Sequence, residues 1–121
     1  MTLKRFAIEL GMGVDLHGED CTKAAVKAVK DAISRVCLSG LVEILNVPLD
    51  EILIEVILGV PGGGEVREEE VRKALPIGKV EIRVVEGGLR VPGIHVPAFG
   101  ETSNIVVVNA CVVVKVPGKW R

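Results

Sequence analysis

Between residues 3 and 10 the chain alternates, with Phe6, Ile8 and Leu10 on one side and Arg5, Ala7 and Glu9 on the other. That period of two predicts a half-buried strand. From residue 21 the period lengthens. Ala25, Ala28, Val29, Ala32, Ile33 and Val36 share one helical face, and Lys23, Lys27, Lys30, Asp31 and Ser34 share the other, which predicts an amphipathic helix of about four or five turns. Asp20 is placed to cap its start, and Leu38-Ser39-Gly40 to end it. Residues 41–49 read as a packed connector, because Leu41, Val42, Ile44 and Leu45 favour a helical turn that Pro48 interrupts. The nearly unbroken apolar run over 51–58 predicts a central strand covered on both sides. Glu65 to Leu75 predicts a shorter helix with Val66, Val71, Ala74 and Leu75 inward, stopped by Pro76. Residues 79–86 and 89–92 bracket Gly87-Gly88 as a hairpin would. Residues 93–104 form a loop carrying His95 and Phe99, and 105–116 the last and longest strand.

The order β-α-β-α-β-β-β predicts an α+β fold: a mixed sheet of four to five strands with two helices on one face, all within one domain spanning 1–121. Two helices do not readily cover both faces. In the last strand Val106, Val108, Ala110, Val112, Val114 and Val116 make one apolar face, while Ile105, Val107, Cys111 and Val113 make the other largely apolar, interrupted by Asn109 and Lys115. Left bare, that second face would be a large apolar patch, so a second subunit is expected to cover it, in a homo-oligomer that is a trimer or a dimer.

Composition narrows the partners. Hydrophobic residues make up 49% of the chain, yet only Phe6, Phe99 and Trp120 are aromatic, so the interior is built from aliphatic side chains, as suits helix on sheet. Fifteen basic residues face 16 acidic ones, and no basic run stands beside aromatic platforms, which argues against nucleic acid. Glu9 interrupts the apolar start expected of a signal peptide, and no stretch is long enough to span a membrane. Three cysteines, Cys21, Cys37 and Cys111, without Cys-x-x-Cys spacing point to reduced thiols and a cytoplasmic setting.

The chemistry concentrates in residues 11–21. Asp15 and His17, two apart in an extended segment, project to the same side and can bind a divalent metal, with Asp20, Cys21 or His95 completing the set; alternatively Asp15 and His17 satisfy their own turn and Asp20 is a helix cap. Gly11, Gly13 and Gly18 loosen the backbone at a helix start, where free amides can hold an anionic group, although Glu19 and Asp20 counter a strongly anionic guest. The glycine spacing is not that of a dinucleotide site. Gly62-Gly63-Gly64 lacks the Lys-Ser or Lys-Thr of a phosphate loop and reads as a turn or lid. Cys21, near a helix start that lowers thiol pKa, becomes a nucleophile if His17 or His95 is its base; the alternative is an inert buried thiol. His95 sits in a loop stiffened by Pro92 and Pro97, and Glu101, Thr102, Ser103 and Asn104 bring a carboxylate, hydroxyls and an amide just before the last strand. The candidate set is therefore His17, His95 and Ser103 for catalysis, Gly11, Gly13, Asp15, Gly18 and Asn104 for ligand binding, and Asp15 with His17 for a metal. The reading that joins them is a small polar ligand held between the Asp15/His17 loop and a neighbouring chain's 93–104 loop, with hydrolytic or acid-base chemistry. The competing one is a non-catalytic oligomeric module whose glycines are architectural.

The octapeptide Gly11-Met12-Gly13-Val14-Asp15-Leu16-His17-Gly18 resembles the Gly-x-Gly-x-Asp-x-His-Gly signature of a small family of conserved bacterial and archaeal proteins, found in plants with a longer N-terminal extension. That family has no assigned activity, so the resemblance implies only that Gly11, Gly13, Asp15, His17 and Gly18 act together. A weaker likeness joins the chain to single repeats of the ring-opening amidohydrolases that cleave cyanuric acid and barbiturate, in which Ser103 looks like the serine position. Gly59-Val60-Pro61 stands where their lysine would be. What that likeness implies is three copies about an axis with sites between them.

Overall fold

The first strand follows the alternation of its sequence, but the side that packs is the small one. In the computed structural model, which describes residues 2–99 and 103–118, β1 (Leu3–Asp15) turns Gly11, Gly13 and Asp15 toward α1 (Cys21–Ile33) and leaves Phe6, Ile8, Leu10 and Met12 exposed. The half-buried strand thus packs through its small side and not through Phe6, Ile8 and Leu10. The reason is the closeness of α1: a Cβ on Gly13 would stand 2.5 Å from the Ala28 amide nitrogen, and one on Gly11 2.5 Å from that of Ala32. Ala24, Ala25, Ala28 and Ala32 form the facing surface of the helix, so backbone meets backbone and only a strand edge of glycine fits beneath.

Asp20 caps α1 by accepting the Lys23 amide at 3.1 Å. The helix runs 13 residues and stops at Ser34, earlier than the apolar spacing suggests. There the Ser34 hydroxyl donates to the Asp31 carbonyl at 2.8 Å, a local bond that competes with helix continuation, and Val36 is left exposed. The connector holds a five-residue helix, α2 (Ser39–Glu43), and a 3-10 turn at Leu49–Glu51 before β2 (Leu53–Val60). α3 is likewise short, Glu68–Arg72, with Val71 wholly buried. Three helices thus replace the two expected. β3 (Lys79–Glu86), β4 (Leu89–Pro92) and β5 (Asn104–Pro117) complete the chain.

The sheet is mixed, open and five-stranded, in the order β1-β5-β2-β3 with β4 also on β5. β1 and β2 pair antiparallel to β5 on its two sides, and β3 pairs parallel to β2. Residues 79–92 are not a hairpin: β4 pairs with Asn104–Val107 of β5, beyond the end of β2. β3 and β4 both run against β5, so the chain steps sideways across the end of β2 without reversing. Gly87 and Gly88 make the step. A Cβ on Gly87 would lie 2.9 Å from the Gly59 Cα, and Gly88 has φ +63° and lies against the Val107 carbonyl, a conformation and a closeness that only glycine tolerates.

One core joins α1, Leu41 of α2 and Val71 of α3 to the alternate residues Ile54, Val56, Leu58 and Val60 of β2 and Val106 to Val116 of β5. Among the described residues, the helices that pack on the sheet lie on that side. The opposite face presents Ile8, Leu10 and Met12 beside Val113, Cys111 and Asn109, with Glu55, Ile57 and Gly59 next in register. Leu10 is 74% exposed, Met12 55% and Ile8 53%. Along the outer edge of β1, the Met12 amide donates to Asp31 at 3.0 Å and Lys27 donates to the Val14 carbonyl at 3.1 Å. Side chains of α1 therefore cap the strand edge that another chain would otherwise extend.

Candidate functional site

The 11–21 stretch divides into an architectural part and a part that faces a cavity. Gly11 and Gly13 face α1. Asp15 is buried, and its Oδ2 accepts the Asp20 amide at 2.8 Å, closing the bend that carries the chain from β1 into α1. Gly18 (φ +94°) and Glu19 (φ +51°) are in the left-handed region within that bend, which glycine adopts freely and glutamate does not. Glu19 is held by Arg90 of β4 at 3.8 Å, and Arg90 also donates to the Gly62 carbonyl at 2.9 Å. Arg90 thus ties the bend to the glycine run after β2. Nothing in the pattern around residue 90 announces this role, because its partners are 71 and 28 residues away in sequence.

His17 leaves the bend on the other side. Its ring packs on Phe99 with centroids 5.1 Å apart and planes tilted by 31°, and with Leu16, Gly93, Ile94 and Ile105 it lines a cavity of about 260 Å3. Among the described residues the buried imidazole Nδ1 has no hydrogen-bond partner, an uncompensated cost in an otherwise apolar setting. Ile105 has the strand parity of Val107, Cys111 and Val113, so the cavity stands at the rim of the bare sheet face. The Asp15/His17 loop and the 93–104 loop are expected to meet from neighbouring chains; within this one chain Leu16 and His17 already meet Gly93, Ile94 and Phe99.

The other candidates are more scattered. His95 is exposed, and its neighbour Ile94, also exposed, forms part of the cavity rim. Ser103 is exposed and uses its carbonyl to accept the Gly93 amide at 2.6 Å; Asn104 opens β5 opposite Pro92. Gly100, Glu101 and Thr102 lie outside the described residues. Asp15 and His17 are the two metal candidates, and among the described residues no group of three or more His, Cys, Asp or Glu side chains converges. Lys27, on the polar side of α1 in the sequence reading, and Asp31 both turn back to β1, which the i, i+4 spacing allowed but could not assign.

Cys21 is the first residue of α1 and is buried, with Gly64 packed against its sulfur. Burial pushes its thiol up; Arg90 pulls down, and Asp20, Glu19 and Asp15 add upward pressure. This opposes the lowering expected at a helix start: removal of the thiol from water is the largest cause, and the carboxylates of the same bend add to it. Cys37 is exposed. In native protein at pH 7.5, iodoacetamide is expected to label Cys37 at least about a hundredfold faster than Cys21, read by peptide mass spectrometry. Comparable rates would show that Cys21 is an accessible thiolate.

A model of a conserved hypothetical protein family, Lin0512, matches residues 5–114. No curated protein matches the chain. The crystal structure of an FtsZ-like protein of unknown function from Nostoc punctiforme PCC 73102 is similar, at 38% identity and a TM-score of 0.88 over 98% of this chain and 99% of that one. Among the described residues, no helix is long and apolar enough to cross a membrane.

Proposed function

This chain belongs to the conserved hypothetical protein family Lin0512, and on that footing we propose that it works as a homo-oligomeric binding protein, assembled through the bare face of its sheet and holding a small molecule beside His17. The observation that carries the assembly is the exposed apolar stripe of Ile8, Leu10 and Met12. The 13 and 14 residues of β1 and β5 run to about 45 Å, and four strands span about 19 Å, so the face offers on the order of 700 Å2, close to one side of a standard interface. A second copy fits it. The polar end of the face carries both signs, with Glu55 and Glu81 beside Arg5, Lys79, Arg83 and Lys115, so a second copy can set its carboxylates against these cations. Because α1 side chains cap the edge of β1, copies join face to face rather than by extending the sheet.

The cavity suits a ligand with an apolar body for Leu16, Ile94 and Ile105 and one group that hydrogen-bonds to imidazole. Asp15 serves by fixing the bend that aims His17. A divalent ion at Asp15 and His17 would need further ligands from the guest or from a second chain. Proton transfer by His17 is the chemistry open to the site. The architectural reading of the motif is favoured for Gly11 and Gly13 by their packing under α1.

Light scattering at micromolar protein tests the assembly, with a dimer or trimer expected; a monomer overturns it. Isobutyramide, which both donates and accepts, tests the cavity by NMR titration. Saturable shifts at His17, Ile94 and Ile105 are expected, weakened at least about tenfold in His17→Phe. Shifts that are absent, or indifferent to that change, remove the ligand from the reading.

A further inference from the structure

A second cavity lies on the helix side of the sheet, away from both His17 and the bare face. It has a volume of about 150 Å3 and is lined by Glu9, Ile33, Val36, Leu38, Pro76 and Val114. It exists because of where α1 ends. Gly11 is covered by Ala28 and Ala32, but Glu9, the next residue on the same side of β1, lies past the last turn of the helix, where the chain leaves through Val36 and Leu38. Five of the six lining residues are aliphatic or proline. No lysine, arginine or histidine is among them, yet Glu9 lines the cavity, its Oε2 is buried without a hydrogen-bond partner among the described residues, and burial raises the carboxyl pKa above its ordinary value. Ile33, the last residue of α1, forms part of the wall, so the partial negative charge of the helix's carbonyl end falls on the same space.

An unpaired carboxylate and a helix carboxyl end both favour a cation, and aliphatic walls favour a hydrocarbon attached to it. We propose that this cavity binds a short aliphatic primary ammonium ion, with Glu9 as its counter-ion. Its volume matches a guest of roughly six non-hydrogen atoms, the size of a benzene-filled cavity of similar volume. The proposal is independent of the oligomer and of the His17 cavity, since Glu9 and Met12 have opposite strand parity.

Butylammonium chloride is the probe, with 1-butanol and sodium butyrate as neutral and anionic comparators, followed by NMR on the intact protein. Butylammonium is expected to give saturable shifts at Glu9, Ile33, Val36, Leu38 and Val114 below about 10 mM, at least about tenfold tighter than butanol, with butyrate silent. Glu9→Gln keeps the shape and removes the charge, and is expected to erase the preference for amine over alcohol without lowering the melting temperature. Val36→Trp, at an exposed wall position, is expected to plug the cavity and abolish both. Butanol binding the parent as tightly as butylammonium, a preference for amine over alcohol that survives Glu9→Gln, or no saturation by any probe would each overturn the proposal.

Discussion

Gly13→Ala is expected to destabilise the protein by about 3 kcal/mol or more, lowering the melting temperature by roughly 10 °C. The added methyl would be driven against the Ala24 carbonyl and within 2.5 Å of the Ala28 amide nitrogen. Both are helix backbone, so relief requires lifting α1 from β1 and opening the alanine face on which the core is built. Gly63→Ala is the control. Gly63 has φ +80° but nothing within 4 Å of a new Cβ, so only the conformational cost of about 1 kcal/mol applies. Urea and thermal melts of the two variants check the difference. If Gly13→Ala melts with the parent, α1 is not seated on β1 as described, and the motif's glycines regain a claim to a ligand.

Ile8→Asp/Leu10→Asp is expected to yield a folded monomer. Both side chains are more than half exposed on the bare face, so the substitutions leave the core intact, and circular dichroism and melting of the dissociated protein stay near those of the parent chain. In an assembled face each subunit would bury two carboxylates in place of two aliphatic groups. Losing about 1.5–3 kcal/mol per buried leucine or isoleucine, with the cost of desolvating charge added, weakens association by at least about a thousandfold. Light scattering at 10–50 micromolar, on the order of working concentrations, checks this. An oligomer that persists assembles by another surface.

These two changes separate what β1 does on its two sides, and the same strand shows where reading from sequence reaches its limit. The alternation of Phe6, Ile8 and Leu10 against Ala7 and Glu9 was legible, and so were the strand itself, the Asp20 cap, the buried series Val106 to Val116 and the apolar second face of β5. Which side of β1 packs was not. An isolated alternation says that one face is apolar; it does not say whether the apolar face meets a helix or another molecule. The same limit hid the fate of residues 79–92. Gly87-Gly88 marks a change of direction in the backbone, but a reversal and a sideways step require the same glycines, and only the pairing of β4 with β5 distinguishes them.

At the candidate site, sequence placed the bend, its helix cap and the loops whose described residues meet, Leu16 and His17 with Gly93, Ile94 and Phe99. It could not show that Asp15 is occupied by the Asp20 amide while the His17 Nδ1 finds no partner among the described residues, because a carboxylate and an imidazole two residues apart accept either fate. Nor could it find Arg90 or Glu9, whose surroundings come from residues 24 to 105 positions away. Local pattern thus determined the elements, their order and the chemistry within one bend, since those depend on neighbours along the chain. Tertiary structure alone decided which faces are covered, which polar atoms are left unpaired and where cavities open, because each of those is set by the closeness with which distant backbones approach.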